Sequence, residues 1–397
     1  MTIYLDHAST TPLCEAVKQV VVKNLDSYGN PSSMHSLGVA SEKLIKQARK
    51  KIASAIGAQE KEVFFTSGGT EANNMAIFGL VTNRKGRLIT TTIEHPSVLN
   101  AFEALEKKGH EVVYIGVDEN GLIDLHAFQN ALNDETTLVS VMAVNNEVGS
   151  VQPIAEIGGL INNYNQLHQT QVRFHVDAVQ AFGKIPINFN RLHVDALSVS
   201  AHKLNALKGT GALICKAGVS LKPMLIGGGQ ENGIRPGTEN LLGIIAFGEA
   251  VGELLPKLNA HFQEIDKMKT DFLEALSEIS DLKVNGPKPS GINIEPTECQ
   301  VSPYILNVSF LGVKGEVLLH ALEMKGVYVA TGSACSSKKK THSHVLTALG
   351  LKERQLEGAI RFSFGQGTTP EALIQAADII KKEVCDLRTI MKNSKRR

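Results

Sequence analysis

The sequence predicts an α/β fold in which a large domain with a mostly parallel sheet is joined to a smaller α+β domain. Over the first two-thirds of the chain, apolar β-branched runs of strand length alternate with helix-like segments. This alternation is typical of βαβ units around a parallel sheet that is covered on both faces. The pattern changes near Leu255, and 397 residues are more than one simple core usually holds.

Seven runs predict the strands of the large sheet: 63–66, 87–93, 111–117, 138–144, 172–176, 196–199 and 212–215. We expect the last two runs to include an antiparallel pair, and we expect helices at 95–108 and 154–167. A long helical pattern at 243–279 is expected to link the domains. Beyond it, 305–310, 327–330 and 359–364 resemble strands, whereas 315–325 and 370–389 resemble helices. These patterns predict a large domain at 14–255 and a small domain formed by 1–13 and 256–397.

The composition excludes several classes of protein. Formal net charge is +1, so no overall field attracts the chain to nucleic acid or to a membrane surface. No apolar run approaches the ~20 residues that span a bilayer. The first residues lack the basic and apolar stretches of a signal peptide. We therefore expect a cytoplasmic protein that binds neither nucleic acid nor membrane directly.

The cysteines predict neither a disulfide framework nor a metal site. There are five of them, scattered as Cys14, Cys215, Cys299, Cys335 and Cys385, and none are two residues apart. His342 and His344 lie close together, but two histidines without a third ligand seldom bind a metal. We expect no metal, and each cysteine has to be judged by its surroundings.

Two polar residues end neighbouring predicted strands. Lys203 follows 196–199, and a lysine on such a rigid element can form a Schiff base with a cofactor carbonyl. Asp177 follows 172–176, and a carboxylate beside a pyridine nitrogen keeps it protonated, so that the ring acts as an electron sink. Because ligands bind at strand ends in such sheets, the pair favours a cofactor site over a surface lysine and a capping aspartate.

Three further strand ends carry candidate residues. Ser67-Gly68-Gly69-Thr70 precedes a helix, where bare backbone N–H groups form an anion site; it is neither a P-loop nor GxGxxG. His95 follows another strand and could stack on a flat ring, although a lone histidine is more often a capping residue. Asn146 lies just after 138–144, where it could hydrogen-bond a ring substituent.

Cys335 lies in a run of small and polar residues that predicts an exposed loop. The run is Thr331-Gly332-Ser333-Ala334-Cys335-Ser336-Ser337, followed by Lys338-Lys339-Lys340. Three nearby lysines favour the thiolate over the thiol. The other four cysteines have no comparable surroundings, and we interpret them as structural.

These motifs, in this order, make the sequence resemble the cysteine desulfurases of the NifS/IscS class. This class falls within the class-V aminotransferase family and within fold type I, the aspartate aminotransferase-like fold of pyridoxal-phosphate enzymes. The resemblance runs from Leu5-Asp6-His7-Ala8-Ser9-Thr10-Thr11-Pro12 to Ile360-Arg361-Phe362-Ser363. It implies an enzyme that uses pyridoxal 5′-phosphate to remove sulfur from L-cysteine, giving L-alanine and a persulfide on Cys335.

The resemblance also implies a role for each site residue. Lys203 binds the cofactor covalently, Asp177 pairs with the ring nitrogen, Gln180 touches the phenolic oxygen, and His95 stacks on the ring and assists proton transfer. The phosphate is held by Gly69, Thr70, Ser200 and His202, with Thr238 reaching it from the neighbouring subunit of a homodimer. Asn146 lies near ring and substrate, Arg361 binds the substrate carboxylate, and Cys335, Lys203 and His95 are the catalytic residues.

The segment after Cys335 is more basic than in familiar members, which leaves the sulfur acceptor open. The acceptor is expected to be a protein, either an iron–sulfur scaffold or a tRNA-thiolation enzyme. Three alternatives remain at this point: a selenocysteine lyase, another fold-type I enzyme such as an aminotransferase, and a non-catalytic module that binds a sulfur-relay protein. An aminotransferase would not need Cys335, and a binding module would not need Lys203, Asp177 and Arg361 together.

Overall fold

The structure is a computed structural model that describes residues 2–81, 85–288, 299–332 and 342–394, with side chains to residue 391. Its strands are β1 Ile3–Tyr4, β2 Val63–Thr66, β3 Arg87–Thr91, β4 Glu111–Ile115, β5 Thr136–Met142, β6 Arg173–Asp177, β7 Ala196–Ser200, β8 Gly211–Cys215, β9 Leu282–Asn285, β10 Ile305–Phe310, β11 Val327–Tyr328 and β12 Ala359–Ser363. Its α-helices are α1 Glu15–Lys23, α2 Ser36–Ile56, α3 Gly69–Leu80, α4 Pro96–Lys107, α5 Leu125–Ala131, α6 Ile154–His168, α7 Leu241–Leu254, α8 Leu258–Ser277, α9 Gly315–Glu323, α10 His344–Ala348, α11 Glu353–Glu357 and α12 Pro370–Ser394.

The large sheet has seven strands in the order β2-β8-β7-β6-β5-β3-β4. All of its pairs are parallel except those made by β8, which is antiparallel to both β2 and β7. The mostly parallel seven-stranded sheet and the antiparallel pair near its edge confirm the predicted fold class. Strands β2, β3, β5, β6 and β7 all end at the same edge of the sheet, so the residues that follow them come together there.

The helix expected at 243–279 is interrupted, which corrects the sequence prediction. Helix α7 ends at Leu254, a short 3₁₀ turn follows at Leu255–Lys257, and α8 begins at Leu258. Pro256 explains the break, because it has no N–H to donate and its ring clashes with the preceding turn. Helix α7 packs on α1 and α2, whereas α8 packs on α12. The division of domains at residue 255 remains a prediction.

The C-terminal part carries two smaller sheets. Strands β9, β10 and β12 form an antiparallel sheet with β10 in the centre, and β1 pairs in parallel with β11. The N-terminal strand therefore joins the C-terminal part, and the chain after it runs back to the large sheet. Isolated bridges of Asp6 with Ser363 and of Ala330 with Arg361 extend these contacts.

Close helix contacts fix the layer on one face of the large sheet. Helices α2 and α7 cross at Gly248, where a Cβ atom would lie 2.7 Å from the Cα of Ala48. Only glycine allows this approach, and the apolar faces of both helices bury against the sheet. Within the part of the chain that the structure describes, no helix is long and apolar enough to cross a membrane.

Candidate active site

The predicted site residues converge at the edge of the sheet where β2, β3, β6 and β7 end. Asp177 is the last residue of β6, and Lys203 lies in the 3₁₀ turn that follows β7. His95 follows β3 as the N-cap of α4, and Gly69 is the first residue of α3. The strand-end positions chosen from the sequence are therefore neighbours in space.

Asp177 and His95 are joined by a buried hydrogen-bond network. The side-chain nitrogen of Asn73 donates to Asp177 Oδ2 at 2.7 Å and to Ser97 Oγ at 2.8 Å. Ser97 Oγ lies 2.8 Å from His95 Nδ1, which also accepts the Ser97 backbone N–H. The network assigns Nδ1 as an acceptor, so the neutral ring of His95 carries its hydrogen on Nε2. Asn73 was missed by sequence reasoning, because its motif resembles an ordinary helix interior.

Electrostatics keep His95 neutral. Burial lowers its pKa below the usual value; the charges of Lys203 and His344 act in the same direction, and Asp177 opposes them. The preceding residue, Glu94, is fully buried, and burial raises the pKa of its carboxyl to about 8. Asp177 is therefore the carboxylate suited to pair with a protonated nitrogen at this edge.

Lys203 reaches the N-terminal segment. Its Nζ donates to the backbone oxygens of Ala8 at 2.5 Å and of Ser9 at 2.7 Å. Gln180 shares the first of these acceptors, because its Nε2 donates to Ala8 O at 2.8 Å. The amine is thus held at the site by backbone oxygens from a segment 195 residues earlier.

An open cavity of about 380 Å³ lies beside these residues and suits an anion. The N-terminus of α3 opens onto it, and Gly68 there adopts φ 154° and ψ −177°, a conformation restricted to glycine. A Cβ on Gly69 would lie 2.6 Å from Val179 Cγ2, so that Val179 would have to move to admit a larger residue. The buried Ser200 Oγ has no hydrogen-bond partner among the described residues. The cavity is lined by Ser9, Thr10, Ser67, Gly68, Gly69, Thr70, Glu71, Ser200, His202, Lys208 and Gly209.

His202 lines the same cavity as a neutral donor or acceptor. Its Nδ1 lies 3.2 Å from Thr10 Oγ1. Burial, assisted by the charges of the nearby lysines, Lys203 first among them, lowers the pKa of its ring to about 4. Thr238 does not line this cavity. It lies in an adjacent pocket of about 110 Å³, together with Ser67 and Gly209, which line both.

Arg361, on β12, is oriented by three acceptors. Its Nη2 donates to Asp6 Oδ1 at 2.8 Å and to Ser9 Oγ at 2.6 Å, and its Nη1 donates to the backbone oxygen of Asn146 at 3.0 Å. Its buried Nε has no partner among the described residues. The guanidinium is therefore fixed beside Asn146 with an N–H still available for an incoming carboxylate.

Asn146, rather than its neighbour, is free to meet a ligand. Asn145 is fully buried and uses its side chain within the loop, donating to Ile93 O and accepting the N–H groups of Glu147 and Val148. Asn146 is half-buried. This difference supports the choice of Asn146 from the sequence.

Cys335 lies outside the described residues. Of the other four cysteines, Cys14, Cys215 and Cys299 are buried and Cys385 is exposed. Burial raises the pKa of the Cys215 thiol to about 12 and of the Cys299 thiol to about 11, which disfavours their thiolates. Among the described residues no cluster of three metal-ligating side chains occurs. His344 instead lies with Nε2 2.9 Å from the backbone oxygen of Glu94.

Comparison with known proteins gives concordant matches over nearly the whole chain. The family model described as aminotransferase class-V matches residues 3–375. The chain is 44% identical to a protein named putative cysteine desulfurase IscS 1 from Bacillus subtilis, over 96% of this chain and 99% of that protein. A solved structure described as a NifS-like protein superposes with a TM-score of 0.89 at 33% identity, covering 98% of this chain and all of the other. Another, SspA in complex with cysteine, has a TM-score of 0.79 at 34% identity and covers 91% of this chain and 99% of that one.

Proposed function

The chain belongs to the class-V aminotransferase family, and from that premise we propose that it is a cysteine desulfurase dependent on pyridoxal 5′-phosphate. Its substrate is L-cysteine, and its products are L-alanine and a persulfide on Cys335. The observation that carries the proposal is the meeting of Lys203, Asp177 and His95 beside an anion cavity and the Arg361 guanidinium. Relatives named cysteine desulfurase match nearly the full length, so a selenocysteine lyase, an aminotransferase and a binding module are not favoured.

The residues present fit the cofactor. The buried Ser200 hydroxyl lacks a partner among the described residues, and Gly68 and Gly69 line the cavity at the start of α3. Gly69, Thr70, Ser200 and His202 would hold the phosphate, with backbone amides and the helix dipole favouring its charge. Lys203 would bind the cofactor covalently.

The ring would be held by four residues at the ends of three strands, β3, β5 and β6. Asp177 would pair with its nitrogen, Gln180 would donate to its phenolic oxygen, and His95 and Asn146 would lie beside it. When bound, the cofactor supplies an electron sink that allows the substrate Cα to lose a proton. Asp177 is suited to its part because Asn73 and the Val179 N–H hold both of its oxygens.

The other steps fall to the chain's own side chains. Arg361 would bind the substrate carboxylate and so fix the Cα against the site. Lys203 would accept and return the Cα proton through its Nζ. His95 accepts hydrogen bonds at Nδ1, which leaves Nε2 as the atom that donates a proton.

Cys335 would perform the sulfur transfer. Its thiolate would form an S–S bond with the substrate sulfur while the C–S bond breaks and leaves its electron pair on the carbon. Protonation of that carbon would give L-alanine, and the sulfur would remain on Cys335. A sulfur-acceptor protein, an iron–sulfur scaffold or a tRNA-thiolation enzyme, would then collect it.

A cysteine variant tests the proposal directly. We expect Cys335→Ser to bind cofactor and L-cysteine but to release no L-alanine, because a serine hydroxyl is too weak a nucleophile toward sulfur. Mass spectrometry after brief exposure to L-cysteine should find one added sulfur, ~32 Da, on the wild-type peptide that contains Cys335.

Cys385→Ser is the matched control, since Cys385 is an exposed cysteine on α12. It should keep both the persulfide on Cys335 and full alanine production. A persulfide on any of the other four cysteines, or full sulfur release by Cys335→Ser, would overturn the proposed function.

A further inference from the structure

Lys184 is a lysine buried without a carboxylate partner. It is 6% exposed, and the hydrogen-bond acceptor of its Nζ is an amide oxygen rather than a carboxylate. Lys184 Nζ donates to Gln180 Oε1 at 2.8 Å, and it lies 5.8 Å from the centre of the Tyr304 ring. A buried cation normally has a paired charge, so this arrangement calls for a functional explanation.

The hydrogen bonds connect Lys184 to Lys203 through two intermediates. A charged lysine can donate hydrogen bonds but cannot accept them. The Gln180 amide must therefore direct its oxygen, and not its nitrogen, toward Lys184. The Gln180 nitrogen is thereby turned toward Ala8 O, which it meets at 2.8 Å. Lys203 Nζ donates to the same oxygen at 2.5 Å. Losing Lys184 would free the Gln180 amide to rotate and present its oxygen instead.

The charges around Lys184 are mostly of its own sign. Lys203 and Arg361 both act on it, and it acts in turn on His7 and His202. Lys184, Lys203 and Tyr304 line a cavity of about 240 Å³. His261 and Glu264 line the same cavity. Burial, assisted by the two nearby cations, lowers the pKa of Lys184 to about 7. Its charge can therefore be lost and regained near neutral pH.

A second buried lysine shows what a purely structural role looks like in this chain. Lys269, on α8, is 1% exposed, and its Nζ donates to Ser302 O at 2.9 Å. Asp266, one turn away, counteracts the lowering of its pKa by burial. None of these partners belongs to the candidate site, so Lys269 is a matched control for the burial of an amine.

We propose that Lys184 is a positioning residue of the cofactor site, which fixes the Gln180 amide by hydrogen bonding and places a positive charge near Lys203. This inference rests on the proposed pyridoxal-phosphate site. It predicts that two coupled groups, Lys184 and the nitrogen of Lys203 bound to the cofactor, share the titration of the resting enzyme. Protonation of either one disfavours protonation of the other.

The test is a pH titration of the visible absorption of the substrate-free holoenzyme, which measures no turnover. The wild type should show a broad transition. Lys184→Met and Lys184→Gln should each show a single narrow transition, with its midpoint about one pH unit higher, because a repelling charge is gone. Lys184→Gln keeps a donor for Gln180, so its apo-protein should keep the wild-type affinity for the cofactor. Lys184→Met should bind the cofactor about tenfold more weakly.

Lys269→Met should titrate and bind cofactor like the wild type. If Lys184→Met does not fold, Lys184→Gln alone decides the charge effect. Titration curves that coincide for the wild type and the Lys184 variants, with full cofactor content, would overturn the inference and leave the proposed function standing. A wild-type protein that binds no pyridoxal phosphate would overturn both.

Discussion

A single asparagine connects two residues of the candidate site, Asp177 and His95. Asn73 is 1% exposed and donates to both Asp177 and Ser97, whose hydroxyl in turn contacts His95. The Asn73 side chain thereby holds the carboxyl group that would pair with the proposed ring nitrogen. We therefore expect Asn73 to affect cofactor binding through Asp177, with no contact of its own to the substrate.

We expect Asn73→Ala to weaken pyridoxal-phosphate binding by about 10- to 100-fold, because one buried hydrogen bond to a charged group is lost. Titration of the apo-protein with cofactor, followed by absorbance, measures this. Asn285→Ala is the control, since Asn285 is equally buried but bonds Asn307 and Ser309 in the small sheet. It should lower stability and leave the cofactor affinity unchanged; equal affinity losses in both variants would contradict the role of Asn73.

The sequence did not predict which individual side chains contact one another in the site. Lys203, Asp177 and His95 could be chosen because carboxyl ends of parallel strands meet at one edge, whatever the details of packing. The contacts of Lys203 with Ala8 and of Arg361 with Asp6 join positions about 195 and 355 residues apart. No local sequence pattern predicts these contacts, because they depend on how the N-terminal segment returns to the large sheet.

Helix α10 is linked to the large sheet by the buried carboxyl group of Glu147, which follows β5. Ser343 caps α10 by accepting the Leu346 N–H, and its Oγ donates to Glu147 Oε2 at 2.5 Å. Burial raises the pKa of Glu147, while His344 and Arg361 oppose the rise. A Cβ on Gly332 would lie 2.6 Å from the same Glu147 oxygen. Glu147 thus lies between Gly332 and Ser343, which precede and follow the segment that contains Cys335.

We expect Ser343→Ala to lower the free energy of unfolding by about 2–4 kcal/mol, because it removes an N-cap and also leaves Glu147 without a donor. Thr369→Ala is the control, since Thr369 accepts the Ala372 N–H at the start of α12 and has no buried carboxyl to satisfy. Its loss should be near 1 kcal/mol. Denaturant unfolding of both variants measures the difference, and equal losses would show that the Glu147 contact adds nothing.

Elements with a strong local pattern were predicted well. Strand β10 has the predicted bounds, because Ile305–Phe310 is a short apolar run that is buried on both faces. Helices α1 and α2 were not predicted. Both mix apolar with charged residues along their length, and they pack chiefly on α7, which is distant in sequence. Strand β1 has two residues and exists through its pairing with β11.

For the whole molecule, exposed apolar side chains indicate an unfilled interface. Tyr28, Met34 and Ile226 are all more than four-fifths exposed, as large apolar side chains of an uncovered contact surface would be. Ile226 lies 12 residues before Thr238, the residue for which the resemblance implies contact with the phosphate of a second subunit. We therefore propose that a second copy of this chain covers the Ile226 surface and that the cofactor site is complete only in this homodimer.

We expect Ile226→Asp to convert the dimer into a monomer, because a desolvated carboxylate opposes burial in an apolar contact. Sedimentation velocity measures the change in mass, and cofactor titration of the same samples should show weaker binding as Thr238 of the second subunit is lost. Leu167→Asp is the matched control, since Leu167 is 80% exposed at the end of α6. That variant should stay dimeric with wild-type cofactor affinity. If Ile226→Asp also sedimented as the wild type does, the proposed interface would be wrong. If Ile226→Asp became monomeric but kept the wild-type cofactor affinity, the interface would be supported. The proposed contact of Thr238 with the cofactor of the second subunit would then be wrong.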